Sequence, residues 1–466
     1  MNSKKLSRAT DQLFSLTEGG AVVHRDKSGK VSPLWLGACE EERTQTEGLM
    51  EKIADPLNLQ KAYGRVKANA GKGGVDGMEV KELGKWLSEH IGLLQEQLLT
   101  DRYAASPVRG VQIPKPQGGY RQLGIPTVID RLVQQAIHQV LSSRYEKIFS
   151  RQSYGFRPGK SAQEALQQSG RYVSEGKGHV IDLDLEKFFD EVNHHRLMWM
   201  LGTRIGDERV LKLIHRFVKA GMLQGGLESQ RIKGTPQGGP LSPLLSNIVL
   251  DELDKELERR GHSYVRYADD VKIFVSSEAS AQRVKASITR FIEGKLKLKV
   301  NQSKSRICKG YELNFLGHKI LPDGRLGLSE TSESRVKQRV KHITQRNRGK
   351  SIEFIIASLK RYCEGWLYYF RYATMRRKIE QVDSWIRRKL RCYRFKQCKR
   401  VIGIVRWLRK LGVEETLSWR TALSGKSWWR LSNSPALNMG MNNDWFAEHG
   451  YYSLHTNYLS LHRKPL

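Results

Sequence analysis

The sequence predicts an α+β fold in which an antiparallel sheet is followed by a helical region. Apolar residues recur with a period of two over residues 263–275, on both sides of the acidic pair Asp269-Asp270. This pattern is typical of two strands joined by a tight turn. A second stretch with the same period covers 180–185. Aromatic residues at helical spacing among basic residues over 331–410 predict helices.

The elements that precede these stretches follow the same rules. Apolar positions at helical spacing predict helices from Leu57 to Val66 and from Val128 to Tyr145. Between them, residues 106–121 predict two short strands joined by a turn that is rich in proline and glycine. Lys115 and Arg121 flank this turn. They are candidates for clamping a triphosphate, although a solvated turn explains them equally well.

The charge of the chain restricts the classes of partner. The 466 residues include 80 Lys and Arg against 48 Asp and Glu, which gives a net charge of +32. The electrostatic field of such a positive charge favours binding of a polyanion over a small neutral substrate. No run of 18 apolar residues predicts a membrane span, and no apolar signal region stands at the start. The sequence therefore predicts a soluble intracellular nucleic-acid protein.

The five cysteines are scattered along the chain and form no Cys-x-x-Cys pair. A structural zinc site needs such closely spaced ligands, and a disulfide framework needs an even number of cysteines. We therefore expect a reducing compartment and no structural zinc site.

The acidic pair at the predicted turn is the strongest candidate for a metal site. Two adjacent carboxylates repel each other unless a cation lies close to them, and hard oxygen ligands suit Mg²⁺. A solvated Asp-Asp turn is the alternative when the pair is considered alone. On the strand over 180–185, Asp182 and Asp184 share one face, so either of them can face Asp269-Asp270 if the two segments are neighbours in one sheet.

Two further stretches are candidates for binding nucleotides and nucleic acid. The loop over 234–243 opens a predicted helix, and Gln237 in it can bond the edge of a base or sugar. Residues 331–410 hold 24 Lys and Arg against 5 Asp and Glu, with Arg371 among aromatic residues and Arg387-Arg388 after a tryptophan. Basic residues interleaved with aromatic ones suit helices that grip phosphates, whereas a solvated face is usually mixed in sign.

Taken together, these stretches resemble the reverse transcriptases encoded by bacterial group II introns, which also serve as splicing maturases. No single motif is specific, but their order and spacing are. The matching motifs are Gly74-Val75-Asp76-Gly77, Ile113-Pro114-Lys115 with Arg121, Ser153-Tyr154-Gly155-Phe156-Arg157-Pro158, Asp184 through Asp190, Pro236-Gln237-Gly238-Gly239, Tyr267-Ala268-Asp269-Asp270, Phe315-Leu316-Gly317 and Gly365-Trp366-Leu367-Tyr368-Tyr369-Phe370.

The resemblance implies a right-hand polymerase fold. Fingers and a palm with an antiparallel sheet would occupy residues 51–330, after a polar leader over 1–50. A helical thumb or maturase domain would occupy 331–410, and a small module similar to a DNA-binding domain would occupy 411–466. Larger members of the family append an endonuclease with cysteine pairs and a His-Asn-His site. The chain ends without these motifs, so we expect no second-strand cleavage by this polypeptide.

The resemblance also assigns roles to individual residues. It selects Asp184 over Asp182 and implies that Asp184, Asp269 and Asp270 are catalytic and hold two Mg²⁺ ions, for which Mn²⁺ can substitute. Asp270 would be the more peripheral ligand. The other implied site residues are Leu185 at the metal site, Lys115, Arg121, Phe189 and Gln237 around the incoming nucleotide, and Arg371, Arg387, Arg388 and Arg391 on RNA. Phe189 would lie under the sugar and exclude a 2′-hydroxyl.

The function that follows is an RNA-directed DNA polymerase that acts as an intron maturase and supports mobility by target-primed reverse transcription. Its partners would be group II intron RNA, a DNA target or primer and deoxynucleoside triphosphates, without a membrane. The protein would be cytoplasmic and associated with a bacterial nucleoid, as a monomer or a dimer. The alternatives are an RNA-binding splicing factor without polymerase activity and a domesticated reverse transcriptase in defence or repair. Retention of the three aspartates favours a working polymerase.

Overall fold

The computed structural model describes residues 48–114, 118–224, 227–229, 233–234, 238–347 and 349–463. The elements up to residue 229 are α1 (Leu49–Ala54), α2 (Pro56–Asn69), α3 (Leu83–Leu99), β1 (Val108–Pro114), β2 (Tyr120–Ile125), α4 (Val128–Tyr145), α5 (Ala162–Ser174), β3 (His179–Leu183), α6 (Phe188–Glu191), α7 (His194–Gly202), α8 (Glu208–Lys219), β4 (Met222–Gln224) and β5 (Leu227–Ser229).

The later elements begin with a long helix that ends at the acidic hairpin. They are α9 (Ser242–Arg259), β6 (Ser263–Tyr267), β7 (Asp270–Val275), α10 (Glu278–Phe291) with a π-helical end over Ile292–Leu296, β8 (Arg306–Lys309), a 3₁₀ turn over Gly310–Glu312, β9 (His318–Ile320), β10 (Leu326–Leu328), α11 (Glu330–Ile343), α12 (Ile352–Tyr369), α13 (Arg376–Gln397), α14 (Val401–Lys410), α15 (Glu415–Ala422), α16 (Trp428–Leu431), α17 (Pro435–Gly440), α18 (Asn443–Glu448) and α19 (Leu454–Arg463). The predicted α+β class is confirmed.

The chain divides into two compact units. The first contains the residues up to Tyr145 together with Val192–Ile248, and the second contains Glu146–Glu191 with Val249–Leu466. The division therefore falls within helix α9.

The first unit contains a four-stranded sheet in the order β2-β1-β4-β5. Strands β1 and β2 form an antiparallel hairpin in which Pro114 lies opposite Tyr120, as the proline- and glycine-rich turn predicted. Helix α4 has the bounds that the hydrophobic spacing predicted. Its residues Leu132, Ala136 and Ile137 are fully buried, and the helix is buried on all sides from Asp130 to Ile137.

The second unit contains a four-stranded antiparallel sheet in the order β6-β7-β3-β8. The alternation over 180–185 sets its register, since Ile181 lies opposite Ile273 and Leu183 opposite Val271, all fully buried. On the other face, Val180 and Phe274 pack with residues of α5. This register decides which polar residues meet at the edge of the sheet.

The helices after β10 form a separate hydrophobic core within the second unit. Apolar residues of α11, α12 and α13 pack together and are joined by α18 and α19. The buried carboxylate of Asp383 in α13 ties these helices to the end of the chain, because it accepts hydrogen bonds from Tyr451 Oη and the Leu454 N–H, both at 2.8 Å. In the described part of the chain, no helix is long and apolar enough to cross a membrane.

Candidate active site

The acidic pair lies at the tip of a two-residue hairpin, as the sequence predicted. Strands β6 and β7 pair up to Tyr267 opposite Asp270, so that Ala268 and Asp269 form the turn. Ala268 has a φ of 60°, whereas Asp269 has a negative φ, which is the pattern of a type II′ turn. A non-glycine residue in this region carries backbone strain of about 1–3 kcal/mol. Surrounding contacts must therefore hold the tip in place.

A fully buried arginine supports this turn from below. Arg266 in β6 forms an ion pair with Asp254 of α9, and both side chains are inaccessible to solvent. The Arg266 guanidinium also donates a hydrogen bond of 2.9 Å to the carbonyl oxygen of Ala268. Because the guanidinium bonds both groups, the helix and the strained turn are held in one arrangement.

The segment that contains Gly155 packs directly against the same turn. The N–H of Tyr154 bonds the carbonyl of Arg266 at 2.8 Å, so the segment runs alongside β6. A Cβ atom added to Gly155 would lie 2.2 Å from the main-chain nitrogen of Ala268. Only glycine permits this close approach.

Asp184 stands just beyond the end of β3, and its main chain is fixed from both sides. Its N–H donates to Ser305 Oγ at 3.0 Å, and its carbonyl accepts from the Asn301 N–H at 2.8 Å. One further step along the β3–β7 register places Asp184 opposite Asp270. Its carboxylate is 44% exposed and lies 3.8 Å from Lys304 Nζ. The side chain is thus open to a ligand while its backbone is held.

A buried lysine lies between two aspartates on this face of the sheet. Lys272 Nζ forms ion pairs with Asp182, its partner across the β3–β7 ladder, and with Asp270. The lysine side chain is 4% exposed, and Arg306 approaches Asp182 at 3.7 Å. Burial opposes the charged form of Lys272, but the two carboxylates outweigh it and hold its pKa above the usual value.

The donor set of this edge suits a divalent cation. Asp184, Asp269 and Asp270 offer hard carboxylate oxygens from the end of β3 and the tip of the neighbouring hairpin. Leu185 is 5% exposed and can contribute only its main-chain carbonyl. Among the described residues, however, no three His, Cys, Asp or Glu side chains are gathered closely enough to hold a metal ion. Lys272 engages one carboxylate oxygen of Asp270, so a cation bound there would share this carboxylate with the lysine.

Two family models match the chain in succession. The first, described as reverse transcriptase (RNA-dependent DNA polymerase), matches residues 113–320, and the second, described as the group II intron maturase-specific domain, matches 334–412. The chain belongs to the group II intron reverse transcriptase and maturase family. The family and the enzyme class predicted from the motifs, an RNA-directed DNA polymerase, are therefore confirmed. A reverse transcriptase domain also implies dependence on a divalent cation, and RNA, DNA and nucleotides as its class of substrates.

Individual relatives agree with this assignment. Protein YkfC of Escherichia coli is 33% identical over 317 residues, which cover 60% of this chain and 81% of YkfC. The group II intron-encoded protein LtrA of Lactococcus lactis subsp. cremoris is 31% identical over 298 residues. That alignment covers half of each chain, so this reverse transcriptase spans about half of the length of LtrA. A chain of the solved partial Cas6-RT-Cas1–Cas2 complex is 26% identical, with a TM-score of 0.34 over 53% of this chain and 42% of that one.

The structure places the predicted nucleotide contacts of the reverse transcriptase in different parts of the chain. Phe189 follows Asp184 by one turn, in α6, where its ring packs edge-on against Phe188 at 5.3 Å. Arg121 is exposed on β2 in the first unit, opposite Ile113. Lys115 and Gln237, like the leader up to residue 47, lie outside the described residues. Phe189 and the three aspartates thus belong to the same unit.

The four arginines predicted to bind RNA are all engaged within the protein. Arg371 lies between the rings of Tyr368 and Tyr372, at 4.0 and 4.6 Å. In α13, Arg387 pairs with Asp383, Arg388 donates to the Trp429 carbonyl at 3.1 Å, and Arg391 donates to the Met441 carbonyl at 3.0 Å. Their contact with RNA stays a prediction, and these residues also stabilise the fold.

Several residues that shape the site did not stand out in the sequence. Lys272 is the lone lysine in the apolar strand β7, and this break in the pattern is the signal that could have identified it. Asp182 was one of two open candidates, and its partner is now seen to be Lys272. Ser305 gave no local signal, because its contact joins distant segments. Gly155 stands in one of the matching motifs, but nothing local in the sequence shows that it packs on Ala268.

Proposed function

We propose that this protein is an RNA-directed DNA polymerase that copies RNA into DNA at Asp184, Asp269 and Asp270, with Mg²⁺ as its cation. We further propose that it binds its intron RNA as a splicing maturase and supports mobility by target-primed reverse transcription. The observation that carries the proposal is the β3–β7 register, which brings the main chain of Asp184 opposite Asp270 and next to the turn residue Asp269, within the segment matched by the reverse transcriptase family.

The roles of the residues follow from their positions. With two Mg²⁺ ions bound, the site supplies Lewis-acid activation of a primer 3′-hydroxyl and neutralises charge on departing pyrophosphate. Asp184 and Asp269 would hold the ions, because neither carboxylate is paired with a buried cation in the described residues. Asp270 is the peripheral ligand, since it shares its charge with Lys272. Phe189 follows Asp184 by five residues along the chain and would exclude the 2′-hydroxyl.

The proposed function also assigns domains to ranges of the chain. We assign the fingers and palm to 51–330, the thumb to 331–410 and a DNA-binding-like module to 411–466. The maturase-specific match over 334–412 and the excess of 19 positive charges over 331–410 support RNA binding by the thumb. The net charge of +32 supports association with nucleic acid in a bacterial cytoplasm.

The test compares Asp184→Asn and Asp269→Asn with Asp323→Asn, an exposed aspartate in the turn between β9 and β10. Primer extension on an RNA template with deoxynucleotides and Mg²⁺ should be lost in the first two variants and retained in the control. Binding to RNA transcribed from the sequence around the reading frame should be the same in all three, as should the thermal midpoint. Extension by Asp269→Asn at the wild-type rate would overturn the proposed site. Wild-type protein that binds and splices this RNA without extending a primer would favour a splicing factor.

A further inference from the structure

A cavity of about 340 Å³ opens among α11, α13 and α16 in the second unit, away from the aspartates. Lys341 and Arg346 approach it from the end of α11 and the following turn, and Lys389 approaches it from α13. Trp385 of α13 and Trp429 of α16 form its aromatic walls. This volume falls within the range of ~300–1,000 Å³ that is usual for small-ligand pockets.

The charges that line this cavity are all of one sign. No carboxylate is among its lining residues within the described chain, and none pairs there with Lys341, Arg346 or Lys389. Elsewhere on α11 and α13, by contrast, Lys337 and Lys378 both pair with Glu333. The cavity therefore concentrates positive charge that a bound anion would stabilise.

Lys389 is the centre of this arrangement. Its Nζ lies 5.5 Å from the ring centroid of Trp385 and 4.9 Å from that of Trp429. Burial lowers the pKa of Lys389, and the charges of Lys341 and Arg346 lower it further. The indole rings stabilise the ammonium in part, through their electron-rich faces. A phosphate would compensate the remaining charge.

The two tryptophan rings that line the cavity indicate which class of anion it binds. Both rings are half-buried, and Trp429 is held by Arg388, whose guanidinium lies 4.0 Å from the ring centroid and donates to the Trp429 carbonyl. Fixed aromatic side chains beside cations are the combination that binds unpaired nucleotides, because the base stacks while its phosphate meets the charge. A base-paired helix cannot insert a base in this way.

We propose that this cavity binds one unpaired nucleotide of the RNA, with its phosphate among Lys341, Arg346 and Lys389 and its base or ribose against Trp385 and Trp429. The proposal rests on the proposed function as an RNA-binding maturase and adds a specific site to it. The cavity thereby distinguishes single-stranded from paired RNA.

The experiment uses the full chain and three variants, Lys389→Met, Trp429→Ala and Trp429→Phe. The matched control is Lys396→Met, which removes the same charge from an exposed position on the same helix. Binding is measured with a single-stranded hexaribonucleotide and with a duplex RNA of equal length. We expect Lys389→Met and Trp429→Ala to weaken binding of the single strand by about tenfold, as for loss of one stacked base or one charged contact. Trp429→Phe should weaken binding of the single strand by less than this. In all three variants, the affinity for the duplex should change by less than about twofold.

A hexaribonucleotide that carries one 4-thiouridine should also crosslink to peptides containing Trp385 or Trp429 in wild type and not in Trp429→Ala. Circular dichroism should match wild type in Trp429→Phe and Lys389→Met, and primer extension on a pre-annealed template should match wild type in the control Lys396→Met, which lies outside the cavity. Equal single-strand binding by wild type, Lys389→Met and Trp429→Ala would overturn the cavity assignment alone. Wild-type protein that binds no RNA would instead contradict the proposed function. Protection of the cavity by an acidic phosphopeptide and not by RNA would assign it to a protein ligand.

Discussion

Asp182 and Lys272 lie opposite each other on strands β3 and β7 and form an ion pair inside the sheet. The same ammonium group binds Asp270, one of the three aspartates proposed to hold metal. Lys272 therefore competes with a metal cation for Asp270 while it keeps two neighbouring carboxylates from repelling each other.

Replacement of this lysine by methionine should have two separable effects. Lys272→Met leaves two carboxylates without their buried partner, so the free energy of unfolding should fall by about 1–3 kcal/mol. Because the competing cation is gone, the Mg²⁺ concentration for half-maximal primer extension should also fall. Urea unfolding and a Mg²⁺ titration measure the two effects, with Lys309→Met on the edge strand β8 as the control. An unchanged or raised Mg²⁺ requirement would contradict the competition.

The second prediction concerns selection of the sugar. Phe189→Ala should raise ribonucleotide incorporation relative to deoxynucleotide incorporation, because the smaller side chain leaves room for a 2′-hydroxyl. A tenfold change in this ratio corresponds to about 1.4 kcal/mol, and we expect at least that. The ratio is measured by competition during primer extension. Tyr311→Ala removes an exposed aromatic ring from the same unit and should leave the ratio unchanged. An equal ratio in both variants would show that a residue other than Phe189 excludes the 2′-hydroxyl.

The third prediction concerns the packing beneath the hairpin tip. A methyl group at Gly155 would lie far inside contact distance of the Ala268 nitrogen, so Gly155→Ala must displace the turn that carries Asp269. We expect primer extension to fall at least tenfold and the free energy of unfolding to fall by about 1–3 kcal/mol. Gly178→Ala is the matched control, since a Cβ atom there meets nothing within 4 Å. Wild-type extension by Gly155→Ala would show that the turn is not constrained by this contact.

The fourth prediction concerns pH. His318 in β9 is 1% exposed and packs on Phe370 at the end of α12, with ring centroids 4.8 Å apart. Burial lowers the pKa of His318 to about 4, from about 6.5 in the unfolded chain. The unfolded state therefore binds more protons between these values, so the stability is present above pH 6.5 and is lost progressively as the pH falls to 4.

The free energy of unfolding should fall by roughly 3 kcal/mol as the pH is lowered from 6.5 to 4. It is measured by urea unfolding at several pH values. His318→Phe should flatten the dependence, whereas His342→Gln, an exposed substitution in α11, should preserve it. An equal dependence of the free energy of unfolding on pH in wild type and His318→Phe would show that a group other than His318 titrates.

The local pattern of the sequence was sufficient to predict secondary-structure elements. It was not sufficient to predict which side chains contact each other in the folded protein. The hairpin that carries Asp269 and the helix Val128–Tyr145 were predictable, because alternation and helical spacing are properties of contiguous residues. Alternation alone could not separate Asp182 from Asp184, since both lie on one face of the strand. The pairing of Asp182 with Lys272 depends on a register set by residues some ninety positions apart.

The basic segment over residues 331–410 shows the same limit. Its charge was countable, but the count could not show that Arg387 is used by Asp383 or that Arg388 holds Trp429. Nor could it show that Lys341, Arg346 and Lys389 converge on one cavity, because this follows from how α11, α13 and α16 pack. Tertiary packing, rather than composition, decides which cations remain available for RNA.

The bond between Arg266 and Asp254 has a consequence for how the enzyme matures. Asp254 belongs to α9, which leaves the ribosome before the hairpin does, and Arg266 binds both that helix and the carbonyl of Ala268. Closing the strained turn and docking the helix are thus a single cooperative step. A nascent or partly unfolded chain in which the helix is detached therefore lacks the contact that holds the turn carrying Asp269.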